Sequence, residues 1–219
     1  MKQDFGISIP EDLSEICMPE RCALIIYDMQ AGIVPQISDG QRIMAGCRTL
    51  LDAARIAGMR VFFTRHFFLP SRSCGVGQLR RAMIWQHKID PDEIGPMIAQ
   101  GSDAWQIVPE LTPEKDEVII DKITMSAFES TFLTLALRDA HLDSFIIAGI
   151  ALEVGIEPTI RHGTDLNLIP VVATDACGSK TREVYERSLA TLKETGEVLA
   201  CPVIEIVSSL APRFGSGGL

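Results

Sequence analysis

The chain has no C-x-x-C pair among its six cysteines, no apolar run near the roughly 18–20 residues that a membrane span needs, and no excess of basic charge. Each absence removes a class of function. Scattered cysteines in a 219-residue chain read as reduced packing thiols, which points to a cytoplasmic compartment rather than a disulfide scaffold. Without a long apolar run there is no membrane partner to expect. A formal net charge of −9 argues against a nucleic-acid surface and leaves a small molecule as the default partner. The opening Met1-Lys-Gln-Asp-Phe-Gly has no basic flank followed by an apolar stretch, so no secretory signal is expected. Internal repeats, low-complexity tracts and linkers are also missing. The expected organisation is one domain over 1–219, with residues 1–20 as an irregular N-terminal extension and 211–219 as a flexible, glycine-rich tail.

What is present is an alternation of short apolar runs and amphipathic stretches. Cys22-Ala-Leu-Ile-Ile-Tyr27 is uniformly apolar, the pattern of a parallel strand buried on both faces, and it ends at Asp28. A helix is predicted from Asp39 to Gly58, with Ile43, Cys47, Leu50, Leu51 and Ala54 on one face. Further strands are expected at Val61–Thr64, Glu117–Asp121, Phe145–Ile150, Ile169–Thr174 and Val203–Val207. Ser126-Ala-Phe-Glu129 has the form of a capping box opening a helix, and Ser179 is placed as the cap of another. Residues 65 to 106 read as a long binding loop with one or two short helices. The predicted fold is α/β, three-layer and Rossmann-like, with a mostly parallel sheet of about six strands.

In such sheets ligands bind beyond the carboxyl ends of the strands. Asp28, Lys122 and Gly155 each follow a strand directly, so three distant segments contribute to one rim. A carboxylate beside an amine in a sheltered crevice is suited to acid or base work. Gly155 lies at a strand-to-helix turn, where helix N–H groups can hold developing negative charge. It has no side chain, so this position supplies no nucleophile.

Four segments in order resemble the isochorismatase-like hydrolases, a family that includes nicotinamidases and N-carbamoylsarcosine amidases. They are Ala23-Leu-Ile-Ile-Tyr-Asp-Met-Gln30, Ile120-Asp-Lys-Ile-Thr-Met-Ser-Ala-Phe128, Ala148-Gly-Ile-Ala-Leu-Glu-Val-Gly155 and Thr174-Asp-Ala-Cys-Gly178. The resemblance implies an Asp–Lys–Cys triad whose first two members fall on Asp28 and Lys122 and whose cysteine position falls on Gly155. It also implies a cis peptide at Ile150–Ala151 and an oxyanion hole from the Ala151 and Gly155 amides. Gln30 and Phe128, in two of the matched segments, are placed at the substrate. Leu152 stands where threonine is usual. Nicotinamidase metal ligands find no match around Thr64-Arg-His-Phe, so neither a metal nor another cofactor is expected. Dimers or tetramers are the assembly that the resemblance implies.

Other residues admit a second role. Cys177 and Cys74 could be displaced nucleophiles, although a packing thiol explains each. His66 and His87 could touch substrate, Arg72, Arg80 and Arg81 could bind a carboxylate, and Trp85, Trp105 and Phe128 could wall a pocket. Three functional readings follow. The first is a hydrolase of a small polar metabolite, cleaving an enol ether or a C–N bond with Asp28, Lys122 and water. The second is a catalytically inactive relative that binds a small molecule or serves in assembly. The third is a cysteine amidase whose nucleophile has been replaced at Gly155.

Overall fold

A computed structural model describes residues 1–95 and 97–210. The tail expected at 211–219 lies outside the described residues. The N-terminal segment is more ordered than its composition suggests. Strands β1 (Lys2–Asp4) and β2 (Ile7–Ile9) form an exposed antiparallel hairpin, and α1 (Leu13–Ile16) is capped by the Asp12 side chain.

The body follows as β3 (Cys22–Tyr27), α2 (Gly40–Ile56), β4 (Arg60–His66), α3 (Val76–Trp85), β5 (Val118–Lys122), α4 (Leu133–Asp139), β6 (Ser144–Ile150), α5 (Glu157–Asp165), β7 (Ile169–Gly178), α6 (Arg182–Glu194), β8 (Leu199–Cys201) and α7 (Val203–Leu210). The six long-range strands pair in the order β5-β4-β3-β6-β7-β8, all parallel. This is the expected α/β architecture. Every residue of β3 is buried, because its two faces meet different helices. Leu24 and Ile26 pack with Ile43, Cys47 and Leu51 of α2. Ala23, Ile25 and Tyr27 point the other way, into the core that holds Leu133, Phe145 and Ile160.

Three local expectations fail. Val203–Val207 is helical, within α7; the edge strand is Leu199–Cys201 instead. The run buries Val203, Ile206 and Leu210, spaced three and four apart, which is a helix face rather than a strand face. Ser126 does not open a helix, and α4 begins at Leu133. Its hydroxyl contacts His162 Nδ1 (3.1 Å) and accepts from the Phe128 amide, which spends the capping group on a loop. The cap of α6 is Thr181, whose side chain accepts from Val184 N, while Ser179 Oγ is buried without a partner.

The strand order reverses direction between β3 and β6. A crevice opens beyond the carboxyl ends at such a point. Asp28 follows β3 on one side of it, and Ala151 follows β6 on the other.

Candidate active site

Asp28 and Lys122 meet. The Lys122 ammonium donates to Asp28 Oδ2 at 2.8 Å, and the two side chains are 1% and 7% exposed. β4 separates their strands, and it supplies a third partner. Thr64 Oγ1 donates to Asp28 Oδ1 at 2.5 Å and accepts from the Asp28 amide at 3.1 Å. Asp28 holds φ +48, a left-handed backbone that costs a non-glycine residue free energy and here fixes the carboxylate's direction. Burial lowers the Lys122 pKa, and the Asp28 charge opposes that shift. A buried ammonium must be paired to persist, so this carboxylate is a structural requirement of the fold.

Lys122 makes two more bonds, to Tyr27 Oη at 2.8 Å and to the Thr124 carbonyl at 3.3 Å. The Tyr27 hydroxyl donates to the Met125 carbonyl. Burial first, and the Asp28 charge second, push the phenol's pKa well above its ordinary value, so it holds its proton.

Gly155 lies directly under this phenol. A Cβ on Gly155 would come within 2.0 Å of Tyr27 Oη and 2.4 Å of Cζ. The space beside Gly155 is therefore filled by Tyr27, whose position at the end of β3 aims it at the start of α5. The same geometry corrects the oxyanion expectation at this residue. The Gly155 amide donates to the Ala151 carbonyl at 3.0 Å at the π-helical turn Leu152–Ile156, so it is already spent within the chain. Ala151 itself reaches the cavity wall, and the peptide before it is cis. Gly149, at φ +137 and with any Cβ only 2.0 Å from the Tyr27 carbonyl, lets β6 pass this close to β3.

A cavity of about 520 Å³ opens above these groups. Asp28, Tyr27, His66, Glu153 and Lys180 supply most of its polar wall, with Gln36 and Gln86, and Phe68, Trp85, Met125, Ile150 and Val154 part of its apolar wall. Both ring nitrogens of His66 and Glu153 Oε2 are buried without a hydrogen-bond partner. Burial, then the Lys122 charge, lowers the His66 pKa to about 4, so the ring is neutral near pH 7.

Several sequence candidates serve the scaffold instead. Gln30 is fully buried, and its amide bonds the His66 backbone (2.6 and 2.9 Å) and the Trp105 carbonyl (2.9 Å), so it orders the loops rather than facing the cavity. Phe128 packs edge-on against Phe145 and His162, away from the cavity lining. Trp105 lies under the Arg65 guanidinium. Cys177 is buried, with its pKa pushed up to about 12 by burial, which suits packing. Cys74 is half-buried and contacts the Leu69 carbonyl. Arg72, Arg80, Arg81 and His87 are absent from the cavity lining. Sequence reasoning missed Tyr27, Thr64 and Glu153. Tyr27 did leave a signal: a polar aromatic ending an otherwise aliphatic strand, immediately before the aspartate. Among the described residues no cluster of three or more His, Cys, Asp or Glu side chains could hold a metal ion, and no helix is long and apolar enough to cross a membrane.

The six-stranded parallel sheet thus carries a buried acid–amine pair at the point where its strand order reverses. The isochorismatase domain matches residues 22–201, and the chain belongs to that family of hydrolases. Similar proteins include a ureidoacrylate amidohydrolase of Enterobacter sp. (strain 638), 28% identical over 209 residues that cover 89% of this chain and 91% of that one. A cysteine hydrolase from Pseudomonas syringae pv. phaseolicola 1448A superimposes with a TM-score of 0.76 at 25% identity, over 88% of this chain and 93% of that one. N-carbamoylsarcosine amidase from Thermoplasma acidophilum shares the fold, with a TM-score of 0.68 at 17% identity over 84% of this chain and 96% of that one.

Proposed function

We propose that this chain hydrolyses a small polar metabolite with water as the nucleophile, using Asp28 as general base and Lys122 to hold that carboxylate in place. The observation that carries the reading is the pairing at position 155: the residue has no side chain, and Tyr27 occupies the space a side chain would need. No thiol can form a covalent intermediate there. The buried carboxylate that lines the cavity remains as the base, with Thr64 and Lys122 fixing its two oxygens.

The bond cleaved is a C–N bond or an enol ether. The amidohydrolase name of a relative that aligns over most of this chain favours C–N. The cavity's polar groups suit the same choice. Neutral His66 exchanges a hydrogen bond with a ligand, and Glu153 accepts one from an N–H. The reading of Gly155 as a replaced cysteine is disfavoured by Tyr27, since a cysteine Cβ in this backbone would overlap the phenol oxygen at 2.0 Å.

A panel of amides, ureides and enol ethers assayed with the protein and with Asp28→Asn tests the proposal. Turnover by the unsubstituted protein that falls about 10²–10⁴-fold in Asp28→Asn is the expected result. A ligand that binds the cavity but is never turned over, with affinity unaltered by Asp28→Asn, would replace the hydrolase reading with that of a binding protein.

A further inference from the structure

We infer that Tyr27 is the proton donor to the leaving group, and that Lys122, buried behind the cavity wall, joins it to Asp28 as one proton circuit. The inference rests on the water-based reading above. Hydrolysis needs two proton movements: one from the attacking water, and one to the departing nitrogen or oxygen. Asp28 answers the first. Within the cavity lining the second has a donor already in place. The Tyr27 hydroxyl lies 2.8 Å from Lys122 Nζ, which lies 2.8 Å from Asp28 Oδ2. Tyr27, Asp28 and Met125 line the same cavity.

The steps balance without any co-reactant. A water O–H breaks, its proton goes to Asp28, and its oxygen bonds to the electrophilic carbon. The bond from that carbon to the leaving atom breaks, and the leaving atom takes the proton from Tyr27 Oη. The phenolate then receives a proton from the Lys122 ammonium, and Asp28 returns one to Lys122. One water is consumed and the three side chains are restored. The resting hydroxyl points at the Met125 carbonyl. Rotation about the Cζ–Oη bond redirects its proton while the ring stays fixed by its neighbours. Lys122 Nζ also sits 4.2 Å from the ring centroid, so its charge stabilises the anion as it forms.

The glycine at 155 is then a condition of this arrangement. Any side chain there would displace the phenol oxygen, and with it the link to Lys122.

A role as filler predicts something different, and leaving-group dependence separates the two. Benzamide must receive a proton to release ammonia, whereas 4-nitrophenyl benzoate releases a stable anion unaided. With Tyr27→Phe, kcat for benzamide is expected to fall about 100-fold while the ester rate changes less than about threefold. Equal losses on both substrates would overturn the proposal, because a filler disturbs both alike. As a second measurement, 3-fluorotyrosine placed at position 27 lowers the phenol's pKa without removing its hydroxyl. The benzamide rate should stay near that of the unsubstituted protein, and a loss as large as that of Tyr27→Phe would count against a role for the hydroxyl. Asp28→Asn run beside these variants keeps the two readings apart. If it leaves both rates intact, the water-based hydrolase reading fails; if it abolishes both while Tyr27→Phe acts equally on the two substrates, Tyr27 alone is excluded.

Discussion

The cavity above Asp28 and the one beside α6 are alike in size, about 520 and 580 Å³, yet their charged walls differ in kind. Around the second, Arg42 pairs with Asp39 and Arg182 with Glu186, and these side chains are between 53% and 75% exposed. Water screens such pairs, so they add little and hold no fixed geometry. In the first, the Asp28 carboxylate is almost fully enclosed, and Lys122 behind it and Thr64 each hold one of its oxygens. Volume does not separate the two; desolvation does. A charge taken out of water has to be held by specific neighbours, and the holding gives the directed proton donors and acceptors that chemistry needs.

Substitutions on the two sides should separate them sharply. Asp28→Asn is expected to cost about 10²–10⁴ in kcat, measured on any substrate the panel yields, whereas Arg42→Ala beside the second cavity should leave kcat within twofold. Lys122→Ala leaves the Asp28 carboxylate buried and unpaired, and roughly 3–5 kcal/mol of stability should be lost in chemical denaturation. Arg42→Ala in the same assay should stay within about 0.5 kcal/mol.

His66 gives the comparison a pH axis. Its folded pKa of about 4 lies below the ordinary 6.5, so on acidification the unfolded chain takes up the proton first. Stability from this residue is complete above pH 6.5 and is lost as the pH falls toward 4, by roughly 3 kcal/mol in all. A His66→Gln variant should show a flatter stability curve across that window; matching curves would mean that the ring is not held neutral by its surroundings. Gly155→Ala should cost about 1–3 kcal/mol through overlap with Tyr27, and much less in a Tyr27→Ala background. Thr181→Ala, at the cap of α6 beside the second cavity, should cost about 1 kcal/mol and leave activity alone.

The apolar run of β3 and its terminal Asp28, the charged end of β5 at Lys122 and the glycine-punctuated end of β6 are local patterns. Strand period and turn chemistry are written in adjacent residues, so the parallel sheet was legible there, and with it the rim on which Asp28 and Lys122 meet. α7 was misread because five apolar-rich residues fit a strand and a helix equally, and only their packing against α2 decides between them. Ser126 was misread because a capping group has no preference between a helix amide and His162 until the fold brings one to it. Gln30 and Phe128 were placed at the substrate because adjacency to a motif carries no information on which way a side chain points. The meeting of Tyr27 with Gly155 joins residues 128 positions apart. Each is unremarkable by itself; their shared space exists only once β3 and β6 lie side by side. Sequence by itself determined which strands form and which charged groups end them, because those are short-range preferences. Tertiary structure decided which groups share a desolvated space, because excluded volume and dielectric belong to the assembled neighbours and to no single segment.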